Sequence, residues 1–266
     1  LKQVQILILD EADHMLDLGF IHDIRHLITF IPMQHQTLFF SATINEQIKD
    51  LSYSLVRNPI RIQISPKDPV SKNVEHSVTF IEMDDKRFFL EQIIKQHAQS
   101  KILVFVRTKV RAERVCKALE RVGIQSQTIH GDKDQKERSS AMNRFKEGTN
   151  KVLIATDVSA RGIDIPNVEF VINYDLPDVA ENYVHRVGRT GRGVQKGMAI
   201  SFCSEEEKTY LSEIEEYMDK KIAVMAIDHS HYEEIIDLSA EQKDDWRSVM
   251  KEIGEIDQRK KKKKKK

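Results

Sequence analysis

Asp10 and Glu11 follow the apolar run Ile6-Leu7-Ile8-Leu9, and Asp13 comes two residues later. A short apolar run ending in a carboxylate pair predicts a buried parallel strand. Its carboxyl end sets acids at the rim of an α/β sheet, where such sheets bind ligands. There a first acid can hold Mg²⁺ and a second can orient or deprotonate an attacking water. A helix cap is the simpler reading of an acidic pair at a strand end, and the pair alone does not exclude it. Three further segments bear on the choice. Phe40-Ser41-Ala42-Thr43 ends a second strand, and its hydroxyls also suit a cap. Ala155-Thr156-Asp157 leads into Ala160-Arg161-Gly162-Ile163-Asp164, a polar turn in which Gly162 permits close backbone approach. His185-Arg186-Val187-Gly188-Arg189-Thr190-Gly191-Arg192 sets four cations within eight residues. Cations so spaced repel one another unless an anion lies between them. Guanidinium forks match phosphate oxygens and cannot lose their charge, so charge alone assigns this segment to phosphate.

The elements that must position these groups alternate. In residues 1–65, strands are predicted at Val4–Leu9, Thr37–Phe40 and Ile60–Ile64, with a helix over Ile21–Phe30. Ser65-Pro66-Lys67-Asp68-Pro69 breaks any element, and residues 66–73 read as a linker. A second unit, 74–224, follows. Its predicted strands are Val74–Ile81, Ile102–Val106, Gln127–Ile129, Val152–Ala155, Val168–Asn173 and Met198–Cys203. Its predicted helices are Lys86–His97, Val110–Val122, Gln135–Lys146, Val179–Val187 and Glu205–Tyr217. Such alternation implies right-handed crossovers and a parallel sheet covered on both faces. Residues 225–266 form a charged extension in which Tyr232–Ile236 and Trp246–Ile253 read as a short appendage.

Composition narrows the class. The 266 residues suffice for two domains, and no apolar run is long enough to span a bilayer. Cys116 and Cys203 both lie in apolar segments and point to neither a disulfide framework nor a zinc site. A reducing, cytoplasmic setting without a membrane is expected. The net charge of zero hides an asymmetry. Arg259–Lys266 are all basic, and without them 34 basic residues face 42 acidic ones, a balance of −8. The tail therefore self-repels, and its charge suits either attraction of phosphates without sequence preference or simple solvation.

Taken together, the segments resemble the DEAD-box RNA helicases of helicase superfamily 2, over residues 1 to about 218. Asp10-Glu11-Ala12-Asp13 matches motif II, Ser41-Ala42-Thr43 motif III and Val104-Phe105-Val106 motif IV. Gln135-Lys136-Glu137-Arg138 matches the QxxR element, Thr156–Asp164 motif V and His185–Arg192 motif VI. The basic extension resembles that of the bacterial RhlE-type branch. The resemblance implies an α/β fold of tandem RecA-like domains with parallel sheets, the first only partly present. It also implies ATP and Mg²⁺ as cofactors and RNA as partner. By the same resemblance Asp10 holds Mg²⁺ through water, and Glu11 activates the hydrolytic water. Asp13, Ser41, Thr43 and His185 form a network that couples ATP state to RNA grip. Asp164 contacts the ribose, and Arg189 and Arg192 serve as arginine fingers at the γ-phosphate. Thr156, Arg138 and the His130-Gly131 turn touch the RNA backbone, so sequence preference is expected to be weak. A monomer with ribonucleoprotein or ribosome-assembly partners is expected.

One departure from the family is plain: no GxxxxGK[ST] loop occurs in these residues. Because the chain opens on Leu1 and meets an apolar strand at once, it reads as a fragment whose first domain lacks sheet partners and exposes apolar strands. Two rival readings are a DNA-directed superfamily 2 translocase and a non-enzymatic module that clamps RNA or a protein. The Asp-Glu-Ala-Asp and Ser-Ala-Thr pairing argues against the first, and the set of Glu11, Arg189 and Arg192 against the second. The chain as it stands is expected to hydrolyse ATP negligibly; RNA-stimulated phosphate release from the purified chain would overturn this.

Overall fold

The computed structural model describes residues 1–17, 19–41, 46–62, 70, 72–157, 168–191 and 195–238. Two compact units emerge, Leu1–Ser65 and Pro66–Lys266.

In the first unit, β1 (Ile6–Leu9) and β2 (Gln36–Phe39) pair in parallel, Ile6 against Gln36 through Leu9 against Phe39. The crossover carries α1 (Ala12–Asp17) and α2 (Ile21–Ile28). A third helix, α3 (Glu46–Leu55), buries Ile48 and Leu51 and goes beyond the predicted elements. The expected burial of β1 holds for one face only: Leu9 is buried, whereas Ile6 and Ile8 are 54% and 60% exposed. The strand predicted over Ile60–Ile64 is not formed at residues 60–62, and residues 63 and 64 lie outside the described residues. Ile60 and Ile62 are instead exposed. Among the described residues their alternating pattern meets no neighbouring strand, and the chain enters through Asn58 at φ +48° and Pro59, a poor approach to a ladder.

The second unit is a seven-stranded sheet, every pair parallel, in the order β5-β6-β4-β7-β8-β3-β9. The strands are β3 (Val74–Phe80), β4 (Ile102–Phe105), β5 (Gln127–Ile129), β6 (Val152–Ala155), β7 (Phe170–Asn173), β8 (Gly197–Cys203) and β9 (Ala223–Val224). Between them run α4 (Lys86–Gln96), α5 (Lys109–Arg121), α6 (Gln135–Glu147), α7 (Ala180–Val187) and α8 (Lys208–Met218). β4, β6 and β7 are buried at every residue, as runs of Ile, Leu, Val and Phe demand when helices cover both faces. Alternate residues feed two cores. Ile102, Val104, Ile154 and Ile172 pack with α4 and α5. Leu103, Phe105, Leu153 and Val171 pack with α6, α7 and α8. Crossovers toward the β5 edge use one face and those toward β9 the other, as right-handed connections require. Each fully buried aliphatic or phenyl side chain contributes about 1.5–3 kcal/mol.

Local signals set the helix ends. Thr108 caps α5 by accepting from the Arg111 amide, and Asp134 and Glu137 form a reciprocal capping box on α6. The appendage expected at Tyr232–Ile236 is a helix, α9 (His229–Leu238), which returns to α4. The Tyr232 ring meets Phe89 at 4.8 Å, and its hydroxyl donates to Asp85 at 3.0 Å. Residues 246–253 and the lysine tail lie outside the described residues.

The carboxyl ends of the central strands enclose charge. Lys86 is fully buried at the start of α4 and donates to the carbonyl of Tyr174 at 2.8 Å and to the Glu207 carboxylate. Asp175 lies 3.9 Å from Lys86 and 3.4 Å from Arg111, and Arg107 reaches Glu207 at 3.2 Å. Burial pushes Lys86 below the usual amine range, while Glu207 and Asp175 oppose that shift. Removing one member leaves a buried carboxylate uncompensated. Lys86→Met is therefore expected to destabilise the second unit by about 3–5 kcal/mol, read as a fall in the urea midpoint.

Candidate functional site

The acids of the first unit stand where β1 ends. Asp10 is exposed, and its Oδ1 accepts from the Glu11 amide at 2.9 Å. Glu11 follows with φ +50°, in the left-handed region that costs a non-glycine residue about 1–2 kcal/mol. Backbone strain of this kind persists where surrounding structure over-determines it, and it concentrates at functional positions. The next residue supplies that determination. Ala12 is completely buried, and its amide donates to the carbonyl of Phe40 at 3.1 Å. That bond sets the segments of Asp13 and Ser41 side by side. Asp13 is buried and Ser41 half-buried; Thr43 lies outside the described residues.

In the second unit, α7 carries the cation-rich segment, and here the structure corrects the charge argument. Charge alone assigns four cations to phosphate, but Arg186 is satisfied internally. It is 1% exposed, with Nε and Nη2 on the two oxygens of Asp157 at 2.5 and 2.8 Å. Nη1 donates to the carbonyl of Asp175 at 2.7 Å and to Asn173 at 3.3 Å, and the guanidinium lies 5.2 Å from the Phe105 ring. For Arg186, the anion is thus a carboxylate of the chain itself. Asp157 and Arg186 form an ion pair inside the motif-bearing segments that their residue types alone do not single out. The signal that could have found them is an acid two residues beyond a fully apolar strand, facing an arginine on the inward side of a helix. Arg189 is also buried, its Nε donating to the carbonyl of His185 at 3.2 Å. Beyond it, Thr190 Oγ1 donates to the carbonyls of Val168 and Glu169. Gly191 turns with φ +64°, and a Cβ there would overlap Val74. A Cβ at Gly197 would overlap Thr190. Asp164 and Arg192 lie outside the described residues.

A second group gathers at the carboxyl ends of β5 and β6. The Thr156 amide donates to the carbonyl of Ile129 at 3.3 Å, so Thr156 adjoins the turn that begins at His130. Arg138 lies in the first turns of α6, half-buried, and Gly131 is exposed. His130 is not exposed: it is 5% accessible, and its Nε2 lies 2.7 Å from Glu113 Oε1. The same oxygen accepts from Thr128 Oγ1 at 2.7 Å and lies 3.2 Å from Lys133 Nζ. Burial alone would raise the Glu113 carboxyl, but the donors His130, Thr128 and Lys133 prevail and hold it at about 2. Glu113, too, escaped the sequence reading. It sits on α5 beside Ala112, at the margin of the apolar stripe, where an acid reads as surface.

Two outcomes follow. Asp157→Ala strands the Arg186 charge in the core and is expected to cost about 3–5 kcal/mol, measured by urea unfolding. The stabilisation from the Glu113 carboxylate is fully present above about 4.5, its unfolded value, and is lost as pH falls through about 2. Between pH 5 and 2 the melting temperature should therefore fall more steeply in the wild type than in Glu113→Gln.

Known proteins share these features. The family described as DEAD/DEAH box helicase matches residues 1–51, and the helicase conserved C-terminal domain matches residues 85–194. The ATP-dependent RNA helicase RhlB of Shewanella amazonensis is 39% identical over 230 residues, 86% of this chain and 52% of that protein. The ATP-dependent RNA helicase DbpA of Bacillus subtilis is 40% identical over 222 residues, 84% of this chain and 46% of that protein. The chain thus spans about half the length of these relatives. Their RhlB and DbpA names lend no support to the expected RhlE-type branch. Among solved structures, S. cerevisiae Dbp5 bound to RNA and ADP BeF3 superposes with a TM-score of 0.77 at 31% identity, covering 96% of this chain and 64% of that one. The E. coli DEAD-box protein SrmB bound to the regulator RraA gives 0.56 at 35% identity, covering 59% of this chain and 93% of that one. With motif-bearing residues in both units matched by family, sequence and structure, the chain belongs to the DEAD-box helicases.

Proposed function

We propose that the protein is an ATP-dependent RNA helicase, in which ATP binding and hydrolysis are coupled to RNA clamping and local duplex opening. The observation that carries this reading is the turn after β1, where Glu11 is held in a strained backbone directly beyond the exposed carboxylate of Asp10. Mg²⁺ suits that acid. The ion prefers hard oxygens and is held by one or two carboxylates together with substrate phosphates. Among the described residues no cluster of three or more acids, histidines or cysteines offers an all-protein cage. One Asp10 oxygen is committed to the Glu11 amide, and among the described residues the other is left for the ion or its water. When bound, Mg²⁺ would neutralise charge on the phosphates.

The residues then divide the work. Glu11 orients the attacking water and accepts its proton. Arg189 and Arg192 meet the charge that develops on the transferred phosphoryl group, and Asp164 holds the ribose. Arg189 is buried with its Nε on the His185 carbonyl, a bond that orients its guanidinium. Asp13, Ser41, Thr43 and His185 couple nucleotide state to RNA grip. Thr156, Arg138 and the His130-Gly131 turn hold the RNA backbone. Hydrolysis draws on both units, with ATP and RNA each favouring the competent state and so each favouring the other. The Dbp5 structure, bound to RNA and ADP BeF3, supports this reading. A cytoplasmic monomer that works on ribonucleoproteins belongs to the same proposal.

The test is RNA-stimulated ATP hydrolysis by the chain extended to the length of its relatives. Glu11→Gln is expected to lower turnover by about 10²–10⁴-fold with ATP binding retained. Arg192→Ala is expected to lower it by about 10³-fold or more with RNA binding retained. Unchanged turnover in both variants would favour an RNA- or protein-clamping module. Preference for matched DNA over RNA in a competition assay would favour a DNA translocase.

A further inference from the structure

We infer that Glu113 is a positioning residue that staples the His130–Lys133 turn and thereby sets where Gly131 and Arg138 meet RNA. The inference rests on the RNA-binding reading of that turn. It starts from one oxygen atom. Glu113 Oε1 takes Thr128 Oγ1 at 2.7 Å from β5, His130 Nε2 at 2.7 Å from the start of the turn, and Lys133 Nζ at 3.2 Å from its end. The turn closes on itself through the Lys133 amide and the His130 carbonyl at 3.1 Å.

The next residue, Asp134, caps α6. Its Oδ1 accepts from the Glu137 amide at 2.7 Å, and Glu137 Oε2 accepts from the Asp134 amide at 3.2 Å. A continuous set of bonds therefore runs from the α5 side chain through the turn into the first turn of α6, one residue before Arg138. The other ion pair at this turn, Lys109 with Asp132, is more than half exposed on both sides and adds little.

The His130 ring explains why one carboxylate matters so much. The ring is 5% exposed, and its Nδ1 has no hydrogen-bond partner among the described residues. Glu113 thus supplies the bond that fixes the ring, and a bond from the ring to a carboxylate requires the proton on Nε2. His130 then acts through the shape of the turn rather than as an exposed RNA ligand, while the exposed Gly131, with open space around its Cα, offers its backbone. Backbone and guanidinium contacts to phosphate hold register only when their donors are fixed in advance.

The experiment is anisotropy titration of a 5′-fluorescein-labelled decauridine with this chain, paired with long-range ¹H–¹⁵N spectra of the His130 imidazole. Glu113→Ala is expected to weaken binding about tenfold, the loss of one preorganised charge-assisted contact, and to move the Nε2 signal. Glu113→Gln keeps an acceptor and should restore both the signal and affinity to within about threefold. Glu113→Ala combined with His130→Ala should bind no more weakly than the weaker single variant. Wild-type affinity in Glu113→Ala while Thr156→Ala and Arg138→Ala weaken binding would overturn the positioning role alone. An equal loss in Glu113→Gln would also overturn it, by assigning the effect to charge. Unchanged affinity in Thr156→Ala and Arg138→Ala would instead defeat the RNA-binding reading on which the role rests.

Discussion

The fork between Arg186 and Asp157, with Lys86 set against Glu207 and Asp175, fixes the carboxyl edge of the seven-stranded sheet as one surface. A parallel sheet brings several strand ends together, and their polar groups must be satisfied away from water. Apolar residues of like volume could give comparable stability, because the desolvation of buried charge offsets much of its attraction. What they could not give is direction. Arg186 links Asp157, two residues beyond β6, to Asn173 at the end of β7 and Asp175 just beyond it through bonds of fixed geometry. The loops that carry the candidate site are thus hung on points that cannot drift independently.

The first unit solves the same positioning problem with backbone. There the acidic turn is held by a main-chain bond from Ala12 to Phe40 and by a residue in the left-handed region. Of the bonds that shape this turn, one joins an amide to a carbonyl and one joins the Glu11 amide to the Asp10 carboxylate. The second unit commits side chains to shape and leaves amide groups and a few cations at the surface. Glu113, which touches the turn after β5 but lies on α5, belongs to that second way of building.

Much of this was legible in the residues. Runs such as Ile102–Phe105 and Val152–Ala155 are apolar at every position, and period and length together mark six of the second unit's strands and its helices nearly to their ends, while the two-residue β9 is too short to register. The strand expected from Ile60 failed because alternation records a preference and not the presence of a pairing neighbour. α3 was hidden because its apolar positions, Ile48 and Leu51, are few among polar residues. The site was legible as a set of motifs but not as a set of roles. Nothing in the letters His-Arg-Val-Gly-Arg tells Arg186, closed on Asp157, from its neighbours, since that difference is made by a residue 29 positions away. Lys86 and Glu113 were missed for a related reason: a charged residue at a helix start or at the margin of an apolar stripe looks solvated until its partner is known.

Thr190 carries a consequence for how the sheet finds its alignment. Its side chain fills the space that a Cβ at position 197 would need, and its hydroxyl holds the carbonyls just before β7. Gly197 pairs with Val74, the residue against which Gly191 is packed. Sliding β8 by one position would bring Lys196 or Met198 against the threonine, where no side chain fits. Such a slip would also turn the buried residues of β8 to the wrong face. The cation-bearing turn is therefore a gauge for the sheet: three strands can seat beside it in one register, and a chain that has formed the turn has already chosen that register.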